Sequence, residues 1–230
     1  MPQDWSALYL QNPTPDEGMY FKAELLKSYD RIPANLKVYG ASDHAVTDDD
    51  GDFTVHIVIG VDPDWHIFVL DLWRKQTAPD RWVESFCDLV RDWKPIGWAM
   101  ETGQIKASVG PFLQRRMRER QTYVAIAQFP TRNDKAIRAQ SIRGRMALDG
   151  LYLPKQADWL ADFHSELLAF PAGKHDDQVD ALGLIGQILD KMSPGVVPPQ
   201  PSKFRGLQEM TLNEAWELAM PKRSNGNARI

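Results

Sequence analysis

The chain has 230 residues, of which 43% are hydrophobic and 25% charged, as in a folded globular protein. Its single cysteine, Cys87, excludes a disulfide framework and a cysteine-based zinc site, and we expect a buried structural thiol. The net charge of −4 argues against a protein that coats nucleic acid, but not against an enzyme with a local basic surface. The N-terminus lacks the pattern of a signal peptide and no apolar run reaches transmembrane length, so we expect an intracellular protein.

The first half of the chain predicts three neighbouring strands. Residues 1–36 contain several prolines and predict an extended lead-in with a short helix within 21–29. Three segments rich in valine, isoleucine and aromatic residues follow, and such segments are typical of strands. They lie at 36–46, 52–62 and 65–74. Because short turns separate them, we expect an antiparallel meander.

Helices and strands alternate in the second half. The spacing of apolar residues predicts helices at 78–93, 108–120, 133–150 and 157–170, and short strands at 95–101, 122–129 and 151–154. A last helix begins at Asp176. This order predicts an α/β fold whose mixed sheet, three antiparallel strands and then parallel strands, carries helices on both faces.

The predicted main domain covers residues 37–192. The proline-rich segment 193–202 marks its end. Within the C-terminal tail, 193–230, residues 212–220 predict one more helix, and the last ten residues have the composition of a disordered end.

The last predicted helix starts with an unusual concentration of acids. In the segment "GKHDDQVDALGLIGQIL", Asp176 could be the helix cap and Asp177 a first-turn residue. Asp180 lies on the same face and is not explained in this way. Three carboxylates this close should not all ionise without a cation. The cluster therefore faces water, holds a metal ion, or is joined by partner acids from elsewhere in the chain.

Two further acids lie at predicted strand ends. Asp43 follows "VYGAS" near the end of the first strand, and Glu101 ends "IGWAME" in the fourth. Each could be a plain loop acid. If the first strand is central and the fourth lies parallel beside it, however, the two carboxylates come close together, and the helix at Asp176 could bring its acids against them. Carboxylates prefer Mg²⁺ or Mn²⁺, and a pair of such ions can clamp a phosphodiester.

The order of strands and acids resembles the RNase H-like nucleases. The chain is most similar to the nuclease domain of the large terminase subunit of tailed bacteriophages. The segments that carry the resemblance are "DWSALYLQNPTPDEGMYFK", "YGASDHAV", "WAMETG", "DKAIRAQSIRGRMALDGLYLP" and "GKHDDQVDALG". Each is weak alone, and the last is the most specific.

The resemblance implies an RNase H-like fold and an endonuclease that cuts concatemeric double-stranded phage DNA during packaging, with two Mg²⁺ or Mn²⁺ ions. By position, Asp43, Glu101 and Asp177 are the implied catalytic metal ligands. Asp176 is a ligand or orients one. Asp180 lies behind the ligands or holds a neighbouring lysine or arginine.

The chain lacks the G-x-x-x-x-G-K-[ST] phosphate loop of an ATPase motor, so we do not expect ATP hydrolysis. Residues 1–36 resemble the stretch that joins motor to nuclease, which suggests an excised domain or, as the alternative, a separately encoded nuclease. The resemblance also implies partners, namely the motor domain, a portal protein and a small terminase subunit. It implies a location in the host cell cytoplasm, without a membrane.

Positive charge concentrates between Arg115 and Arg145, where nine basic residues meet two acidic ones. Such a local excess suits contact with DNA phosphates, although arginines on a helix can also be its solvated face. The residues that we expect to contact DNA are Arg132, Lys135, Arg138, Arg143 and Lys174.

Two other functions fit the same residues. One is another RNase H-like nuclease, of the junction resolvase or recombinase type, which would prefer branched DNA or specific ends. The other is a non-catalytic module that binds DNA or a portal, in which the acids only cap a helix or lie in loops.

Overall fold

In the part of the chain that the structure describes, seven strands are present, and all but the first lie where the apolar patterns predict. They are β1 (Leu26–Tyr29), β2 (Lys37–Asp43), β3 (Thr54–Val61), β4 (Ile67–Lys75), β5 (Gly97–Thr102), β6 (Ile126–Pro130) and β7 (Leu151–Pro154). The computed structural model describes residues 19–45, 53–102, 109–130, 135–198, 211 and 216.

These strands form one mixed sheet in the order β1-β7-β4-β3-β2-β5-β6. Strands β2, β3 and β4 make the predicted antiparallel meander. On one side β5 and β6 continue the sheet parallel to β2, and on the other side β7 and β1 continue it parallel to β4. Strand β2 is therefore central and has β5 as its parallel neighbour, which is the premise on which the two strand acids were expected to meet.

The helices cover both faces of the sheet, as predicted. They are α1 (Pro79–Trp93), α2 (Gly110–Glu119), α3 (Lys135–Asp149), α4 (Leu160–Ala169) and α5 (Asp177–Gln187). On one face, α1 and α2 pack on a core that includes Trp98 and Phe86. On the other face, α3, α4 and α5 enclose a second core, in which residues 177–186 of α5 are all buried.

Two local predictions have clear outcomes. Within residues 21–29 the predicted short helix is present only as a 3-10 helix of three residues, Ala23–Leu25, and strand β1 follows it directly. Strand pairing overrides the local helix propensity, because Leu26 to Tyr29 pair with β7 and the Tyr29 hydroxyl donates to the Val69 carbonyl at 2.8 Å. Cys87 is fully buried, as expected.

The chain divides into two units, residues 1–196 and 197–230. In the second unit the described residues are 197, 198, 211 and 216, and Trp216 is helical and exposed. The rest of the predicted helix 212–220 lies outside the described residues. Across the part of the chain that the structure describes, no helix combines the length and the apolarity needed to cross a membrane.

Candidate functional site

Asp43 and Glu101 lie on neighbouring parallel strands at the same edge of the sheet. The register pairs Ala41 with Ala99 and Ser42 with Met100, and the two acids are the next residues on β2 and β5. Side chains alternate along a strand, so Asp43 shares a face with Ala41, and Glu101 shares it with Ala99. Both alanines belong to the core beneath α3, α4 and α5. The two carboxylates therefore lie on the face that α5 covers.

Helix α5 brings the remaining acids to this edge. It packs against β2, β3 and β5 and begins at Asp177, with Asp176 at the N-cap position. Asp177 and Asp180 are buried, at 7% and 6% exposure. We call the four carboxylates of Asp43, Glu101, Asp176 and Asp177 the acidic edge.

Arg138 links the acidic edge to Asp180. Its guanidinium donates through Nη1 to Glu101 Oε1, and through Nη2 to Asp180 Oδ1 at 2.9 Å. Helix α3 passes close to α5 at this point, since a Cβ added at Gly183 would lie 3.5 Å from the Arg138 carbonyl carbon. Asp180 thus contacts an arginine, as one of its two expected roles requires, and its place behind the metal ligands stays a prediction. Arg138 is 7% exposed, and its expected contact with DNA stays a prediction.

A second arginine, Arg74 on β4, reaches the acidic edge from the other side. Its Nη2 lies 3.9 Å from Asp177 Oδ2 and 3.4 Å from Glu166 Oε2. The guanidinium stacks on the Phe53 ring, 3.6 Å from the ring centroid. Asp177 also lies near His175, whose Nδ1 is 4.0 Å from Oδ2.

Glu166 on α4 supplies the cap of α5. Asp176 occupies the cap position as predicted, but its side chain makes no capping bond. Instead, Glu166 Oε1 accepts the backbone N–H of Gln178 at 2.5 Å, and Oε2 accepts the Gln178 side-chain amide at 2.6 Å. Neither Arg74 nor Glu166 was predicted. The sequence feature that could have indicated Glu166 is an acid among the apolar residues of α4, next to Leu167.

The opposite face of β2 carries a buried chain of hydrogen bonds. His56 Nε2 lies 3.0 Å from the Trp82 carbonyl, which can only accept, so Nε2 carries the proton. His56 Nδ1 then accepts from the Ser42 hydroxyl at 2.8 Å, and Trp98 Nε1 donates to the same hydroxyl oxygen at 2.7 Å. Burial lowers the pKa of His56 to about 4, which keeps the ring neutral. This network fixes β2 at Ser42, one residue before Asp43.

The other residues expected to contact DNA have different positions. Arg132 lies outside the described residues, and Lys135 begins α3 without a described side chain. Arg143 is exposed on α3, with its guanidinium 4.5 Å from the centre of the Tyr20 ring. Lys174 is exposed and lines a pocket of about 260 Å³. Their contact with DNA stays a prediction.

The arginines of α2 bind acids on α1 and on their own helix. Arg116 and Arg120 both bind Glu84, and Arg120 also donates to Asp88 at 2.6 Å. The hydrogen bond from Arg116 holds the pKa of Glu84 below its ordinary value. Arg115 pairs with Glu119 on the same helix. Two of the nine basic residues between Arg115 and Arg145, namely Arg116 and Arg120, therefore join two helices.

A different acidic group lies in the β3–β4 hairpin. Among the residues that the structure describes, Asp62, Asp64 and His66 form the one group that brings three potential ligand atoms within 4.8 Å of one another. Asp62 Oδ1 accepts the backbone N–H groups of Asp64 and His66, and its Oδ2 lies 2.9 Å from His66 Nδ1. These contacts are those of a side chain that stabilises a turn.

The acidic edge fits hard divalent ions by its donor chemistry. All its donors are carboxylate oxygens, which Mg²⁺ and Mn²⁺ prefer. Two of them, Asp43 and Glu101, come from adjacent strands, and the other two come from the start of a buried helix. The ligand atoms are not drawn together as closely as those of the hairpin group, so the fit rests on donor type and placement.

Comparison with known proteins identifies the type of domain. The family model described as the terminase RNaseH-like domain matches residues 40–185, from β2 to near the end of α5. A search of curated protein sequences gives no significant match.

Solved structures share the fold at low sequence identity. The large terminase nuclease domain of Thermus phage P74-26 aligns with a TM-score of 0.52 and 13% identity, covering 76% of this chain and 96% of that one. The large terminase nuclease of thermophilic phage G20c with bound cobalt aligns with a TM-score of 0.52 and 15% identity, covering 70% and 91%. The G20c nuclease with bound magnesium aligns at 0.50 and 15%, with the same coverage. The mixed sheet is therefore an RNase H-like fold.

Proposed function

Because the chain belongs to the family of terminase RNase H-like domains, we propose that it is a metal-dependent endonuclease that cuts concatemeric double-stranded phage DNA during genome packaging. The observation that carries this proposal is the acidic edge, where two parallel strands and the start of a buried helix place four carboxylates. In this proposal Asp43, Glu101 and Asp177 bind metal directly, and Asp176 binds metal or orients a ligand.

We further propose that the cofactor is a pair of Mg²⁺ or Mn²⁺ ions. When bound, such ions supply an activated water for attack on the phosphodiester and positive charge for the leaving oxygen. The structurally similar G20c nuclease has been solved with magnesium and with cobalt, which supports a divalent ion here.

The chain's own residues would orient this chemistry. Asp43 and Glu101 lie on rigid neighbouring strands, so their separation is set by the sheet. Arg138 holds the Glu101 carboxylate through Nη1 and fixes its direction. Lys174 and Arg143 are exposed and would contact the DNA backbone. Phosphate contacts carry no base information, so we expect low sequence specificity.

In its biological setting the domain would act with a motor that delivers DNA. We propose double-stranded DNA as the substrate, and an ATPase motor domain, a portal protein and a small terminase subunit as partners, in the host cell cytoplasm. The family membership supports this setting.

Plasmid cleavage tests the activity. The wild type, Asp43→Ala and Asp177→Ala are incubated with supercoiled plasmid in Mn²⁺, Mg²⁺ or EDTA. Asp64→Ala is the matched control, since it removes an aspartate of the hairpin group. We expect cleavage by the wild type and the control in Mn²⁺ or Mg²⁺, and none by the two acidic-edge variants or in EDTA.

Other outcomes point elsewhere. Cleavage that survives in Asp43→Ala and Asp177→Ala would contradict the assigned site. A preference for a four-way junction over linear duplex, measured side by side, would favour a resolvase-type nuclease. Loss of activity in Asp64→Ala alone would move the metal site to the hairpin.

A further inference from the structure

The buried start of α5 needs a cap. The first backbone N–H groups of any helix have no partner within the helix. Here the start is buried, since Asp177, Gln178 and Val179 are 7%, 1% and 1% exposed, so water cannot satisfy these groups easily. The residue at the cap position, Asp176, makes no capping bond with its side chain. The cap must therefore come from another element.

Glu166 provides it from α4. Its two oxygens both bind Gln178, one through the backbone N–H and one through the side-chain amide, at 2.5 Å and 2.6 Å. The side chain of Glu166 is 5% exposed, so these bonds form away from water. A carboxylate at this end also interacts favourably with the helix dipole. One side chain thus fixes the position and the direction of the helix start.

Arg74 connects this cap to the acidic edge. One guanidinium nitrogen, Nη2, lies between Glu166 Oε2 and Asp177 Oδ2, at 3.4 Å and 3.9 Å. Strand β4 holds Arg74 in register with Val55 of β3, which in turn pairs with Asp43 of β2. Arg74 and Asp43 therefore lie in one row across the sheet, and a shift of α5 would change the distance from Asp177 to this row.

We propose that Glu166 is a positioning residue for the metal site: it caps α5 in place of Asp176 and, with Arg74, sets the position of the Asp177 carboxylate. This inference rests on the proposed function, because it assigns Asp176 and Asp177 to the metal. Glu166 itself does not touch the metal in this assignment. Its role is to hold the helix that carries two of the ligands.

The test measures Mn²⁺ binding directly, by isothermal titration calorimetry and by electron paramagnetic resonance of free Mn²⁺. The proteins are the full chain as wild type, Glu166→Ala, Glu166→Gln and Asp162→Asn. Asp162 is the matched control, an exposed carboxylate one turn earlier on α4. Urea unfolding of each variant, measured at the temperature of the binding experiment, establishes that all of them are folded there. Glu166→Gln keeps one acceptor oxygen and the side-chain volume, and serves if Glu166→Ala does not fold.

We expect both Glu166 variants to bind Mn²⁺ about 10- to 100-fold more weakly, the range found when residues that orient metal ligands are replaced. Asp162→Asn should bind like the wild type. The Mn²⁺ concentration for half-maximal plasmid cleavage should rise by the same factor as the dissociation constant, and the rate at saturating Mn²⁺ should recover. A residue with a structural role alone would lower the resistance to urea without this shift.

Two results would overturn the inference, and they differ. Unchanged Mn²⁺ affinity in folded Glu166 variants, with the wild type binding normally, would show that Glu166 only stabilises the fold and would leave the proposed function intact. No Mn²⁺ binding by the wild type or by Asp162→Asn would refute the metal site, and the inference with it.

Discussion

Replacing Arg138 with methionine should leave the Asp180 carboxylate buried without the guanidinium that now faces it. The Arg138 side chain is 6% exposed and that of Asp180 is 7% exposed, with 2.9 Å between Nη2 and Oδ1. Methionine keeps much of the aliphatic volume but removes the positive charge and the hydrogen bonds to both acids. The change therefore tests the charge of Arg138 more than its packing.

The expected loss follows from the burial of the two acids. Removing one partner of a buried ion pair costs about 3–5 kcal/mol, because the remaining charge still bears its desolvation penalty. The Glu101 side chain is 18% exposed and can regain some solvation, so its share is smaller. We expect the free energy of unfolding of Arg138→Met to fall by about 3 kcal/mol, at the low end of that range.

Urea unfolding followed by tryptophan fluorescence measures this loss. Arg115→Met is the control, because Arg115 also pairs with an acid, Glu119, but its side chain is 73% exposed. Exposed pairs contribute little to stability, so the control should unfold like the wild type. If Arg138→Met were also indistinguishable from the wild type, the pair with Asp180 would not be buried as the structure shows, and the reasoning would be refuted.

Three further predictions concern strands β2 and β3 and helix α3. His56 has a folded pKa of about 4 against an ordinary 6.5, so as the pH falls from 6.5 towards 4 the unfolded chain takes up its proton first. In this window the free energy of unfolding of the wild type should therefore fall by up to about 1.4 kcal/mol per pH unit more than that of His56→Gln. Urea unfolding of both proteins at pH 7 and pH 4.5 measures the difference. Gly40→Ala should destabilise by about 3 kcal/mol, since its Cβ would lie 2.2 Å from the buried Trp98 ring. Gly144→Ala, within α3 and with open space around it, should stabilise by about 0.5–1 kcal/mol; a loss there would contradict the helical placement.

The placement of Asp43 and Glu101 could be predicted because it depends on local patterns. Each acid ends a short apolar segment, and such segments form strands whatever the rest of the chain does. The helix start at Asp176 was equally visible, as acids followed by an apolar run. The tertiary arrangement had to be assumed, namely that β5 lies parallel beside β2 and that the helix packs against these strands, and the structure shows both.

Arg74 and Glu166 could not be found in the same way. The register between β3 and β4 shifts at Val58 and Ile59, so simple alternation along β4 does not give the face of Arg74. Glu166 lies among the buried residues of α4, but its partner Gln178 is on another helix. From the sequence, Asp176 could be the cap of α5, because it stands at the start of the helix. Contacts between distant elements are the part of the site that a single sequence does not contain.

The balance of charge explains why so many acids can begin a buried helix. Among the described residues, six carboxylates gather at this edge of the sheet, and Arg138 and Arg74 contact four of them. The carboxylates are those of Asp43, Glu101, Glu166, Asp176, Asp177 and Asp180. Arg138 faces Asp180, and Arg74 lies between Glu166 and Asp177, so the arginines neutralise the acids that lie deepest. Divalent cations at the acidic edge would further reduce the repulsion between its carboxylates. Replacing one acid of the acidic edge with a neutral residue, as in Asp43→Asn, should therefore stabilise the protein without metal and remove its metal binding. Urea unfolding should then show Asp43→Asn as more stable than the wild type in EDTA, and should show stabilisation by Mn²⁺ for the wild type alone.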